Sequence, residues 1–166
     1  NLVFLTEGPK DTMEAAVQPI FAVSIGSGGP EKAPDRDNFA RNLLSGMAEF
    51  KDMRIVSRDM LRLGMIPMHE IQAEAKDAKT DAPMKFVQWV RFGSGGFVRM
   101  VGISRAEVWR DAFPRFRAVR VAVEEGFHVP VRAAEREEPV AVEQVAVGVG
   151  RRVVGEQDHW PVGEAG

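Results

Sequence analysis

Residues 26–29 and 93–96 both read Gly-Ser-Gly-Gly, each at the end of an apolar run, and a glycine-rich loop after a strand is one way a chain cradles phosphate. Such a cradle works because a helix begins directly after the glycines, so that its free N–H groups and the positive end of its dipole point at the anion. Neither segment has that context. Gly29 is followed by Pro30 and a charged stretch, and the helical pattern beyond it opens with Asp35 and Asp37, whose charges repel phosphate. Gly96 runs straight into the alternating stretch from Phe97 to Ile103. Neither segment has the Gly-Lys-Ser/Thr ending or the dinucleotide-binding spacing. Both are therefore expected to be turns, with no nucleotide or other cofactor. Residues 93–96 should close a β-hairpin with Gly95 or Gly96 at positive φ, and residues 26–29 should form a longer, more open loop that tolerates substitution better.

The other residues with chemical potential are scattered. His69-Glu70 begins like the zinc-protease helix motif, but Ala73 stands where the second histidine is needed and the surrounding alternation is that of a strand. Asp77 and Asp81 bracket a short polar stretch, yet Pro83 and a missing glycine spoil the calcium-loop pattern, and a hairpin turn is expected there. His128 and His159 lie far down the chain, so the histidines form no local cluster and no metal site is expected. Cysteine is absent, which removes disulfides, thiolate nucleophiles and Cys-ligated metals together. No Gly-x-Ser-x-Gly elbow occurs. What remains for catalysis is a hydrolytic site assembled in space from dispersed polar residues such as His69, Glu70 and Asp77. Arg105, Arg110, Arg115, Arg117 and Arg120 form the densest basic stretch before residue 127, but Glu107 and Asp111 interrupt it. A solvated helix face is the expectation.

These residues must be carried by elements legible from periodicity. Leu2 to Leu5 and Pro19 to Ile25 are short apolar runs closed by turn formers and read as strands. Phe39, Leu43, Leu44, Met47 and Phe50 recur on one helical face, with Asp35 or Asp37 able to cap the helix. From Arg54 to Ile103 the period drops to two and four strands follow: Arg54 to Leu63, Met68 to Lys76, Met84 to Phe92, and Phe97 to Ile103. In the second, Glu70, Gln72, Glu74 and Lys76 mark a wet face or a rim. The third is apolar on both faces, with Phe86, Val90 and Phe92 opposed to Val87 and Trp89, as a covered interior strand requires. A turn at 93–96 sets Phe92 against Phe97, Val90 against Arg99 and Trp89 against Met100, with Arg91 on the opposite face from Arg99. Short connections make these strands an antiparallel meander. Ser104 to Glu107 has the form of a capping box before a second amphipathic helix, in which Pro114 predicts a kink or a break into two helices.

With 166 residues, 45% of them hydrophobic, the chain suits one core and one domain. A net charge of −2 supplies no field to gather nucleic acid. No stretch approaches the roughly 20 apolar residues of a membrane-spanning helix, so no membrane span is expected. The chain opens on Asn1 rather than methionine, which reads as a processed form or a fragment. Residues 127–166 show no sustained period and are expected to be a disordered tail, leaving residues 1–126 as the domain.

The stretches HEIQAEAKDAKTDAPMKFVQWVRFGSGGFVRMVGISR, residues 69–105, and AEVWRDAFPRFRAVR, residues 106–120, resemble the closing half of exported proteobacterial proteins with PsbP-like domains. That superfamily includes a photosystem II extrinsic subunit and a yeast Ran-binding regulator, and the likeness spans roughly residues 1–126. It implies an α+β fold, an antiparallel sheet of about six strands flanked by helices in an α/β/α sandwich. It also implies a non-enzymatic binding or accessory module with a protein partner, exported to the periplasm or beyond. The superfamily shares no catalytic motif, so no functional residue is carried over, and fold alone does not specify function.

Overall fold

The computed structural model describes residues 2–6, 14–63, 66–126 and 153–154. In chain order the elements are β1 (Leu2–Thr6), β2 (Ile20–Ser27), α1 (Ala33–Ser45), β3 (Phe50–Leu63), β4 (Ile66–Asp77), β5 (Pro83–Gly93), β6 (Gly96–Arg105), a 3-10 turn (Ala106–Val108), α2 (Trp109–Gly126) and β7 (Val153–Val154). The strands form one sheet in the order β3-β4-β5-β6-β2-β1-β7, and every neighbouring pair is antiparallel. The four strands from β3 to β6 are the meander expected from their alternation. Chain reversals of a few residues permit only antiparallel neighbours. Of residues 127–166 only β7 is described, pairing with Phe4 and Leu5 of β1; the expectation for the remainder of that segment lies outside the described residues.

The two helices cover opposite faces of the sheet. Ala40 and Leu44 of α1 pack with Ile71, Phe86, Val90 and Ile103, whereas Ala112, Phe116 and Val119 of α2 pack with Phe21, Trp89 and Met100. This is an α+β fold in three layers. β5 contributes to both cores, Phe86, Val90 and Phe92 to one and Val87 and Trp89 to the other, which is why its sequence is apolar without alternation. The register matches the expectation, with Phe92 opposite Phe97, Val90 opposite Arg99 and Trp89 opposite Met100.

The two Gly-Ser-Gly-Gly segments are neighbours at one end of this sheet. Ser27 pairs with Gly96, and the Gly28 N–H donates to the Gly95 carbonyl at 2.9 Å. The hairpin tip is Ser94-Gly95, between the paired Gly93 and Gly96, and Gly95 takes a φ of +79°, which strains any residue with a β-carbon. Gly28 and Gly29 also sit at positive φ, +77° and +118°. Both segments are therefore constrained, the 26–29 loop by the positive φ of Gly28 and Gly29, and the hairpin by Gly95 and by Gly96, where a β-carbon would lie 2.5 Å from the Gly26 carbonyl oxygen.

Three local expectations are corrected. α1 begins before Asp35 and Asp37, with Pro34 in its first turn, and its N-cap Lys32 makes no side-chain capping bond. It stops at Ser45, so Met47 and Phe50 join the same core from the loop and from β3; their helical spacing is coincidental. Ser104 caps nothing, because pairing with Lys85 holds it inside β6, and Glu107 forms an ion pair with Arg105 instead. Finally, α2 runs unbroken through Pro114. That residue is exposed, so water can satisfy the Arg110 carbonyl that the proline leaves without a donor.

Candidate functional site

The structure sends the three dispersed candidates to three places. Adjacent residues of a strand point to opposite faces, so His69 faces α1 while Glu70 faces the α2 side. His69 is buried with its ring edge-on to Phe92 at 5.6 Å. Asp77 ends β4 and closes the turn before β5. Its Oδ1 accepts the N–H groups of Lys79 and Thr80 and the Thr80 hydroxyl, at 2.8 to 3.0 Å. Burial works to raise the Asp77 pKa, but these hydrogen bonds, those from Thr80 foremost, hold it below the usual carboxylate range. Asp81 belongs to the same turn, at φ +58°. No hydrolytic centre can use these residues jointly. His128 and His159 lie outside the described residues, and among the described residues no group of three or more His, Asp or Glu is placed to hold a metal ion.

His69 has a consequence for stability. Burial lowers its pKa, Asp37 opposing the shift and Arg36 adding to it. Near and below pH 6.5 the unfolded chain therefore takes up a proton that the fold resists. Stability is complete above pH 6.5 and falls as the pH drops towards the folded-state pKa. Urea unfolding between pH 5 and 8 should show this slope in the native chain and a smaller one in His69→Gln. Equal slopes would remove His69 as the cause.

On the α1 side the sheet is tied to the helix by polar groups. Gln88 Nε2 donates to the Ala40 carbonyl at 2.7 Å. Arg99 Nε donates to Gln88 Oε1 and its Nη2 to the Leu43 carbonyl, both at 2.8 Å. The last turn of α1 carries no basic residue, so Arg99 brings the positive charge that suits a helix C-terminus from across the sheet. Burial pushes its pKa down to about 10, which leaves it charged at neutral pH. This network is structural: every group in it already has a partner.

The α2 side is different. Helix α2 lies over β6, where Phe116 covers Gly102, and leaves the faces of β3 and β4 open. That open face carries Arg54, Ser57 and Asp59 from β3, opposite Glu74, Gln72 and Glu70 of β4. Arg54 Nη2 meets Glu74 Oε2 at 2.6 Å, and Lys85 of β5 meets Glu74 Oε1 at 3.1 Å. Lys85 first and then Arg54 lower the Glu74 pKa. The face is polar, of mixed charge, and flanked along β3 by an edge whose register shifts at Lys51/Arg54 and Ile55/Ser57. Bulges and charges of this kind discourage sheet-to-sheet addition at an edge.

Where this face meets α2 it is not wet, contrary to the expectation for Glu70. Glu70 is buried, accepting from Trp89 Nε1 at 2.7 Å through Oε2 and from Gln72 Nε2 at 3.1 Å through Oε1. Arg120 also departs from the expected solvated stripe. Arg110, Arg115 and Arg117 are exposed, but Arg120 is buried with its guanidinium 5.4 Å from the Trp89 ring centre. The sequence did carry a signal, since Arg120 stands four residues after Phe116 on the apolar stripe.

The chain matches no protein-family model, and no curated protein matches it. Among solved structures it is similar to the protein of unknown function PA94 from Pseudomonas aeruginosa, for which a regulatory role has been suggested. The TM-score is 0.54 and the identity 11%, over 72% of this chain and 79% of that one. At that identity the likeness shows the fold alone. Among the described residues no helix is long and apolar enough to cross a membrane.

Proposed function

We propose that this chain is a non-enzymatic binding or accessory module that docks a partner protein on the open polar face of β3 and β4. The observation that carries this reading is the half-covered sheet. α1 lies over one face, leaving Met60 of β3 exposed at its margin, whereas α2 covers only part of the other and leaves an ordered array of donors and acceptors facing solvent. Ion pairs such as Arg54–Glu74–Lys85 contribute little to stability when exposed, but they hold side chains in defined positions for a partner to read. Membership of the PsbP-like superfamily is part of the proposal, supported by the resemblance of residues 69–120 and by the three-layer order. Export rests on that resemblance alone.

The test is site-specific photocrosslinking in the native host, with the crosslinker at Asp59 or Gln72 on the open face and at exposed Asn42 on α1. A discrete adduct with one polypeptide is expected from the first two positions and not from Asn42. Adducts of equal intensity from all three, or none from the open face, would refute the docking surface.

A further inference from the structure

Arg120 is 6% exposed, and among the described residues its Nε and Nη1 are enclosed without a hydrogen-bond partner. No ion pair joins it to a carboxylate of the described residues. Glu70, which accepts from the same indole, takes one hydrogen bond on each oxygen, from Trp89 and Gln72, and Glu124, buried four residues further along α2, forms no ion pair with Arg120. The Trp89 face gives the guanidinium a favourable quadrupole to lie on but accepts none of its N–H groups. A buried cation whose donors are unmet is costly to keep, so this arrangement calls for an anionic acceptor from outside.

The surroundings indicate which acceptor. Because α2 lies over β6 and Arg120 leans onto Trp89 of β5, this flank of the helix is the one turned towards β4 and the open face. Arg110, Phe113, Arg117 and Arg120 follow one another at helical spacing along it, and the Arg117 guanidinium lies 5.9 Å from the Phe113 ring centre. The opposite side of the same line holds Glu70, Gln72 and Glu74. Acidic groups there repel a continuous polyanion such as nucleic acid. They suit a polypeptide that presents one or two carboxylates to the arginines and backbone amides to the strand side. A carboxylate is the strongest side-chain acceptor for an unmet guanidinium N–H, the hydrogen bond being charge-assisted.

We propose that Arg120 is the recognition point for a carboxylate side chain of an acidic polypeptide segment that lies along the junction of α2 with the open face of β4. This rests on the reading of the chain as a binding module and names the chemistry of its partner.

The test uses the full chain and three probes: the blocked pentapeptide acetyl-Ala-Ala-Glu-Ala-Ala-amide, its glutamine analogue, and inorganic phosphate. The readout is the Nε–H resonance of Arg120 in the native protein, assigned through its side-chain carbon correlations to the Arg120 backbone. Trp89 fluorescence in a Trp109→Phe, Trp160→Phe background is a second readout. The glutamate peptide should shift both signals saturably, with at least tenfold weaker response to the glutamine analogue and to phosphate. The fluorescence response should vanish in Arg120→Gln, checked to be folded by circular dichroism. If Arg120→Gln does not fold, the native-protein resonance decides alone. No saturable shift, equal response to both peptides, or preferential response to phosphate would each overturn the carboxylate assignment. Crosslinking from Asp59 or Gln72 without any Arg120 response would sink this inference and leave the docking surface standing.

Discussion

Gly102→Ala should destabilise the fold by roughly 1 to 3 kcal/mol, the range for overpacking a dense core, and Gly102→Val by more. A β-carbon at Gly102 would lie 2.5 Å from Cδ2 and 2.6 Å from Cγ of Phe116. Neither is the loose end of a side chain. Phe116 is buried, with ring centres of Phe21 and Trp109 at 6.0 and 6.2 Å, so α2 itself would have to rise from β6. Gly93→Ala is the control, since a β-carbon there would meet nothing within 4 Å and the φ is not positive; it should change stability by no more than about 0.5 kcal/mol. Urea unfolding measures both. If the two substitutions proved equally mild, the close approach of α2 at Gly102 would be wrong. Phe116→Ala combined with Gly102→Ala should cost less than the sum of the two single substitutions, because no Cγ or Cδ2 then remains for the new β-carbon to meet.

Arg99→Leu should cost roughly 2 to 4 kcal/mol, because it strands two buried acceptors, Gln88 Oε1 and the Leu43 carbonyl, each at about 1 to 3 kcal/mol. The Leu43 carbonyl has no ready substitute. The Gly46 N–H bonds to Asn42 and that of Met47 to Leu44, so the helix end cannot supply a donor. Gln88→Leu removes the acceptor of Arg99 Nε and its own bond to Ala40, and should also destabilise. The double variant should lose less than the sum of the two, since one leucine pair then replaces a mutually satisfied polar pair on an apolar face. A double-mutant cycle in urea measures this coupling, and strict additivity would show that the two side chains do not act as a unit.

The strands and their register are legible in the residue order because a two-residue period has only two faces to choose from. Once Gly95 reverses the chain, the pairing of Phe92 with Phe97 settles every partner down to Met84 and Arg105. The helices are less legible at their ends. Met47 and Phe50 satisfy a helical spacing that the chain abandons at Gly46, and Ser104 with Glu107 matches a capping pattern that β-pairing overrides. In both cases a local preference of about 1 kcal/mol competes with burial on a sheet.

The candidate surface is only half legible. Alternation in β4 separates Glu70, Gln72 and Glu74 from His69, Ile71 and Ala73, and this division holds. It cannot say that Glu70 is buried against Trp89 while Glu74 stays in solvent, because the boundary between them is drawn by the width of α2 and by its position over β6. The same limit applies to the basic helix, where Arg117 and Arg120 are both arginines on one flank and differ only in their reach to the sheet.

The sequence alone determined the antiparallel meander of β3 to β6, the interior place of β5 and the hairpin register, since these follow from side-chain period and from turns that need glycine; it did not show β7, a seventh strand that pairs with β1. Tertiary structure decided that His69, Glu70 and Asp77 share no site and that Arg99 caps a helix from another layer. It also decided that Arg120 lies buried over an indole beside an open polar face. Each of those depends on contacts between residues far apart in the chain, and burial and hydrogen bonding there are set by how layers stack rather than by any local spacing.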